Sequence, residues 1–165
     1  MMTRKNYRLF SPGIIANLVL KKRLVRSATA EGRATLDGNV TPEMLTLYQN
    51  LAEGGVGMII TGHMAVMKGG RAGHNQTGIW DNNQIEGIAR IADQVHAVSP
   101  DCKIIAQLSH NGRQVIGTHK EAFCIGPSHV PSPLLKKKQA YLPGKYTGNR
   151  KKFFQCRPPS QKRRI

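Results

Sequence analysis

Acidic residues are scarce in this chain. Its 165 residues include 9 Asp and Glu against 25 Lys and Arg, a formal net charge of +16. Such a balance points first to nucleic acid or an anionic surface, so its distribution along the chain decides what it means. Cysteines number only three (Cys102, Cys124, Cys156), widely spaced and with no CxxC pair, which gives no support to a disulfide framework or a zinc site and leaves a reducing, cytoplasmic setting as the default. Aromatics make up 5% of the chain. No stretch approaches the roughly 18 apolar residues of a membrane span, and the opening MMTRKNYRLF lacks the apolar run of a signal peptide. Also missing are GxGxxG after a strand, GxxxxGK[ST], HExxH and GxSxG, so the common phosphate-loop, zinc-protease and serine-hydrolase readings have no footing. The expectation is a soluble protein with no metal site.

The basicity belongs mostly to one end. Residues 136–165 carry 11 Lys and Arg and no acid, whereas residues 1–135 carry all 9 acids and a net charge of +5. Two compositional segments follow, 1–135 and 136–165, and only the first has a hydrophobic pattern that specifies a core.

Between Leu18 and Leu108 short apolar runs alternate with amphipathic ones, the mark of βα units. Leu24 to Ala28 is a short candidate strand. Thr41-Pro42 opens a helix, with Thr as N-cap and Pro at the first helical position, where its missing N–H costs nothing. Leu45, Tyr48, Leu51 and Ala52 share one face of that helix, and Gly54-Gly55 ends it. Val56 to Thr61 is a near-continuous apolar run, as expected of a strand buried on both faces. Asp81 and Gln84 have capping-box spacing ahead of Ile85, Ile88, Ile91, Ala92 and Val95, and Ser99-Pro100 ends that second helix. Lys103 to Leu108 is the third strand. Each strand runs into a loop rich in Gly, His, Asn or Arg, which suits the ligand face of an open doubly wound sheet or of a closed barrel.

Three groups of residues have chemical potential. Ser27, Ala28, Thr29 and Ala30 sit where a strand ends; they are either a tight exit or a place where a planar ligand approaches the backbone. Gln107 is an amide in an otherwise apolar strand and should have a partner, a ligand's polar edge or a neighbouring backbone group, because an unpaired buried amide costs about 1–3 kcal/mol. His110-Asn111-Gly112-Arg113 either hold an anion or substrate or form a solvated turn in which Gly112 supplies a positive φ. His63, Arg71 and His74 show no metal-ligand spacing.

The segments LFSPGIIANLVLKKRLVRSATAEGR, LYQNLAEGGVGMIITGHMAV, GRAGHNQTGIWDNNQIEGIARIADQVHA and IIAQLSHNGRQ together resemble the amino-terminal part of NADH:flavin oxidoreductases of the old yellow enzyme family, over residues 8–135. That resemblance implies an α/β fold of the TIM (β/α)8-barrel type, represented here by about its first three βα units. It implies FMN at the strand C-termini, NADH or NADPH as reductant, and a small-molecule acceptor such as an activated alkene. On it, Ser27, Ala28 and Thr29 match the stretch that packs on the flavin ring, and Gln107 matches the glutamine at the flavin's pyrimidine edge. Gly62, in the loop after the second strand, matches a position near the flavin, with His63 the alternative by one residue of alignment. Ala30 stands where several members carry a Thr or Cys that tunes the flavin, and Lys22 where Asn is usual. The family's His-x-x-His or His-x-x-Asn pair, its proton-donating Tyr and its phosphate-binding strands have no counterpart, which implies a truncated copy that is catalytically incomplete, with no catalytic residue to assign.

Back-translating residues 143–164 and shifting the frame by one nucleotide permits an amphipathic sequence with Ile, Ile, Phe and Ala at helical spacing and a terminal Gly. The basic segment then reads as an out-of-frame end. The alternative is a genuine basic tail binding nucleic acid or an anionic surface by counterion release.

Overall fold

The computed structural model describes residues 7–115, 124–126, 130, 133 and 140–141. Most of the basic segment 136–165, including Cys156, lies outside them. So do both readings of that segment.

The chain opens with an antiparallel hairpin of β1 (Gly13–Ile15) and β2 (Leu18–Leu20), which the periodicity had not marked. Its register pairs Ile15 with Leu18, so the turn is Ala16-Asn17. Ala16 takes φ +49, in the left-handed region where a Cβ crowds the carbonyl oxygen.

A three-stranded parallel sheet follows, in the order β3 (Val25–Arg26), β4 (Met58–Ala65) and β5 (Lys103–Ser109). The strands are those expected, with different bounds. β3 is two residues long because Val25 and Arg26 alone find partners on β4, Met58 and Ile59. β4 begins after Gly57, whose N–H donates to the Leu24 carbonyl at 2.8 Å and whose Cα lies so close to Lys22 that a Cβ would sit 2.1 Å from its carbonyl oxygen. At its other end β4 runs four residues past Thr61.

The helices α1 (Pro42–Glu53) and α2 (Ile85–Val98) join consecutive strands. Thr41 caps α1 by accepting from the Met44 N–H, and Gly55, at φ +80, takes the left-handed turn that follows the helix. The Asp81–Gln84 capping box forms, but it closes a separate 3-10 turn, Asn82–Gln84, that feeds α2. The two helices cover one face of the sheet. Met44, Leu45, Tyr48 and Ala52 of α1 and Ile91 and Val95 of α2 close over Ile59, with Ala34 and Cys102 completing the cluster. Ile104 packs against it from β5.

The opposite face of β5 is open. Ile105 is 42% exposed and Gln107 is exposed too. Among the described residues, β5 pairs with β4 along one edge only.

Relief of the Ala16 conformation gives a direct test: Ala16→Gly raises the unfolding free energy by about 1 kcal/mol in urea denaturation, since glycine takes positive φ without the Cβ clash.

Candidate functional site at the strand C-termini

The site starts from an irregularity in β4. Ile60 pairs with Ile105, and the next pair is His63 with Gln107, so Thr61 and Gly62 together stand opposite Ala106. This is a bulge: one extra residue that shifts the alternation of side chains. Paired residues in parallel strands point to the same face, so the shift turns His63 onto the open face that carries Ile105 and Gln107. The ladder bond broken there is replaced by the Thr61 hydroxyl, which accepts from the Gln107 N–H at 3.2 Å and donates to the Gly62 carbonyl at 2.9 Å.

The Gly62 N–H, freed from the ladder by the bulge, donates to Glu31 Oε1 at 2.8 Å and leans on the Tyr48 hydroxyl oxygen at 3.2 Å. Tyr48 in turn donates its hydroxyl proton to the same Glu31 oxygen. Three elements therefore meet at one carboxylate: the loop after β3, the inner face of α1 and the bulge of β4. Burial, and then the Glu31 carboxylate, hold the Tyr48 hydroxyl well above the usual phenol range. The carboxylate packs against the Gly62 backbone, where a Cβ would lie 2.1 Å from Glu31 Oε2, so any larger residue at position 62 displaces the carboxylate from this arrangement.

A second cluster lies one pair further along. The buried Gln76 amide donates to the His63 carbonyl at 2.8 Å and to Ser109 Oγ at 3.1 Å, while its oxygen accepts from the Ala72 N–H at 2.6 Å. His63 Nδ1 stands 3.1 Å from Ser109 Oγ and 3.2 Å from the Gln76 nitrogen. The loop that supplies Gln76 is held by Arg71, a guanidinium 3% exposed that donates to the carbonyls of Lys68, Leu36 and His74 and lies 5.3 Å over the Trp80 ring. Between this loop and residues 30–32 is a cavity of about 470 Å³ walled by Ala30, Glu31, His63, His74 and Gln76 among others.

The structure places the sequence-derived candidates as follows. Ser27, Ala28, Thr29 and Ala30 follow β3 directly; Ser27, Thr29 and Ala30 are exposed and Ala28 is half-buried. The Arg26 guanidinium binds the Ser27 carbonyl and the Thr29 hydroxyl and so fixes that exit. Gly62 and His63 lie within β4, not in a loop after it. Gln107 lies beside His63, and among the described residues its backbone N–H is engaged while its side-chain amide makes no hydrogen bond to the protein. Its amide is exposed on the open face of β5. Ala30 reaches the cavity wall. Gly112 does take a positive φ, +54, yet His110 is not a solvated side chain. Its Nδ1 accepts from the Gly112 N–H, its Nε2 is buried without a partner among the described residues, and burial holds the imidazole below its usual range. Glu31, Tyr48 and Gln76 were not singled out as site residues, because their roles rest on contacts between distant segments.

A sequence model of the NADH:flavin oxidoreductase / NADH oxidase family matches residues 8–143. The chain belongs to this family. It is 34% identical over 127 residues to the NADPH dehydrogenase of Bacillus licheniformis, covering 76% of this chain and 36% of that protein. The old yellow enzyme homologue of Zymomonas mobilis superposes with a TM-score of 0.78 at 24% identity, over 91% of this chain and 44% of that one. Morphinone reductase, solved in complex with tetrahydroNAD, superposes with a TM-score of 0.77 at 20% identity, over 92% of this chain and 45% of that one. These likenesses establish the fold: β3, β4 and β5 with α1 and α2 are consecutive units of a (β/α)8 barrel, and the chain spans less than half the length of the relatives it matches. In such a barrel the helix-covered face of the sheet is the outer one, and the open face that carries Gln107 and His63 looks inward.

Two outcomes test this site. Thr61→Val leaves the Gln107 N–H without its acceptor and lowers the unfolding free energy by about 1–3 kcal/mol in urea. Because the fold favours the neutral Tyr48 phenol, that contribution is complete below the ordinary phenol value of about 10 and is lost as pH rises through the higher folded value. Tyr48→Phe therefore flattens the fall of stability above about pH 10, as measured by denaturation at stepped alkaline pH.

Proposed function

We propose that this chain supplies the first strands of an FMN-dependent NAD(P)H oxidoreductase of the ene-reductase type. Its part is to contact the flavin, and on its own it does not complete the reaction. The observation that carries this reading is Gln107, an amide on the open inner face of β5 with its side-chain hydrogen-bonding capacity unspent among the described residues. A donor–acceptor pair on an uncovered apolar wall fits the polar edge of a planar ring system.

Ser27, Ala28, Thr29 and Ala30 give the short side chains and backbone groups that let such a ring approach the end of β3. Gly62 stands at the same end of the sheet, with its N–H already held by Glu31, so its contribution is closeness of approach rather than a free donor. FMN held there would supply the hydride-transfer chemistry between NADH or NADPH and an electron-deficient acceptor. The residues of this chain bind and orient; none of them is assigned a proton or hydride transfer. The names NADPH dehydrogenase and morphinone reductase, and the latter's tetrahydroNAD ligand, support a nicotinamide reductant and a small-molecule acceptor. No helix of the described residues is long and apolar enough to cross a membrane. The free thiols of Cys102 and Cys124 suit a reducing cytoplasm.

The test is a titration of FMN with the purified chain, read by quenching of flavin fluorescence, followed by addition of NADH. Wild type quenches the flavin, and Gln107→Leu weakens binding about tenfold, the equivalent of one hydrogen bond. NADH is not consumed at an enzymatic rate by the chain alone. Absence of quenching by wild type sinks the reading.

A further inference from the structure

The His63 imidazole is held from one side only. Its Nδ1 stands 3.1 Å from Ser109 Oγ and 3.2 Å from the Gln76 side-chain nitrogen. Its Nε2 makes no hydrogen bond among the described residues and, unlike Nε2 of His110, is not buried. His63 and Gln107 are paired residues of β4 and β5, strands about 5 Å apart, so the open Nε2 belongs to the same inner face as the unspent Gln107 amide.

Which ring nitrogen carries the proton follows from the donors and acceptors around it. The Gln76 oxygen accepts from the Ala72 N–H at 2.6 Å, so the amide nitrogen is the end that faces His63 and Ser109. One of its two protons goes to the His63 carbonyl at 2.8 Å and the other to Ser109 Oγ at 3.1 Å. There remains the Ser109 hydroxyl proton, for which Nδ1 is the one acceptor among the described residues. With Nδ1 protonated instead, two protons would converge on Ser109 Oγ and the hydroxyl proton would have no acceptor. The neutral imidazole therefore has Nδ1 bare and its proton on Nε2.

We propose that Ser109 and Gln76 are positioning residues that set His63 as a donor through Nε2, and that this N–H and the Gln107 amide together bind the acceptor atoms along the flavin's polar edge. The donor role rests on the flavin reading. The fixing of the tautomer does not, since it is set by contacts within this chain. Bracing of the loop after β4 accounts for the bonds at Nδ1; an open Nε2–H beside an open amide is the arrangement that a ring with several acceptors on one edge requires.

The test uses the full chain with nitrogen-15 in its histidine rings, at about pH 8, where an ordinary imidazole is neutral, first free of FMN and then saturated with it. The His63 signals are those lost in His63→Gln, whose amide keeps an N–H in the place of Nε2. Without FMN, wild type and Ser109→Thr, which retains the hydroxyl, are expected to show a single tautomer with Nε2 protonated and Nδ1 bare. Ser109→Ala is expected to show the averaged pattern of a ring exchanging between both forms. Addition of FMN is expected to shift Nε2 and leave Nδ1 in place. His63→Leu is expected to bind FMN about tenfold more weakly, and His63→Gln within about threefold of wild type. A wild-type ring that is averaged or protonated on Nδ1 overturns the positioning by Ser109 and Gln76, and an Nε2 signal unmoved by saturating FMN overturns the donor role. If wild type binds no FMN, the flavin reading falls and the donor role with it, while the flavin-free spectrum still decides the tautomer.

Discussion

The bulge at Thr61-Gly62 is the constraint on which the rest of this structure turns. One extra residue in β4 does three things at once. It rotates His63 onto the inner face, it releases the Gly62 N–H from the ladder, and it breaks a bond that the Thr61 hydroxyl then restores. The released N–H is what Glu31 accepts, and through Glu31 the loop after β3 is bound to the Tyr48 end of α1. A regular strand would satisfy its own N–H and leave that loop without an anchor. The glycine suits this arrangement for a steric reason, since the carboxylate occupies the space where a Cβ would be. Backbone irregularity and side-chain chemistry are thus one feature, in keeping with the frequency of bulges beside binding sites.

The adjoining loop is ordered by a different economy. Among the described residues Arg71 is buried without an ion pair, its Nε and Nη1 donating to three carbonyls while its flat face lies on Trp80. Trp80 and the Gln84 side chain in turn press on Gly38 and Gly78, where a Cβ would stand 2.6 Å and 2.3 Å from the indole. The arrangement joins the loop after β3 to the loop after β4 without an ion pair. It explains how two long, glycine-rich connections hold a cavity between them.

The helices were legible in the sequence, because their signals are local. Thr41-Pro42, Gly54-Gly55 and the Asp81–Gln84 box each act within a few residues, and the apolar spacing of α1 and α2 points to the faces that are buried. The parallel order of the strands was legible for a similar reason, as apolar runs separated by helices leave few alternatives. The bulge was not. A parity shift is visible only where apolar and polar residues alternate, and GVGMIITGHMAV is apolar on both sides of it. Glu31 was hidden for another cause: its partners lie 17 and 31 residues away, and a glutamate in a polar loop has no local mark. The place of Gln107 on an uncovered face was hidden too, because the run from Lys103 to Leu108 does not say which of its faces the helices cover.

The sheet order β3-β4-β5 also bears on how the chain reaches this state. Each strand's neighbour in space is its neighbour in sequence, so every pairing forms once a single crossover has closed, with no need for distant segments to find one another. Such a unit can assemble progressively from its amino-terminal side, each new strand docking on a template already in place. Among the described residues the far edge of β5 pairs with no other strand, and its apolar Ile105 and Leu108 are exposed. During synthesis, until a following strand docks there, that edge and those side chains are where chaperone engagement or premature association is to be sought first.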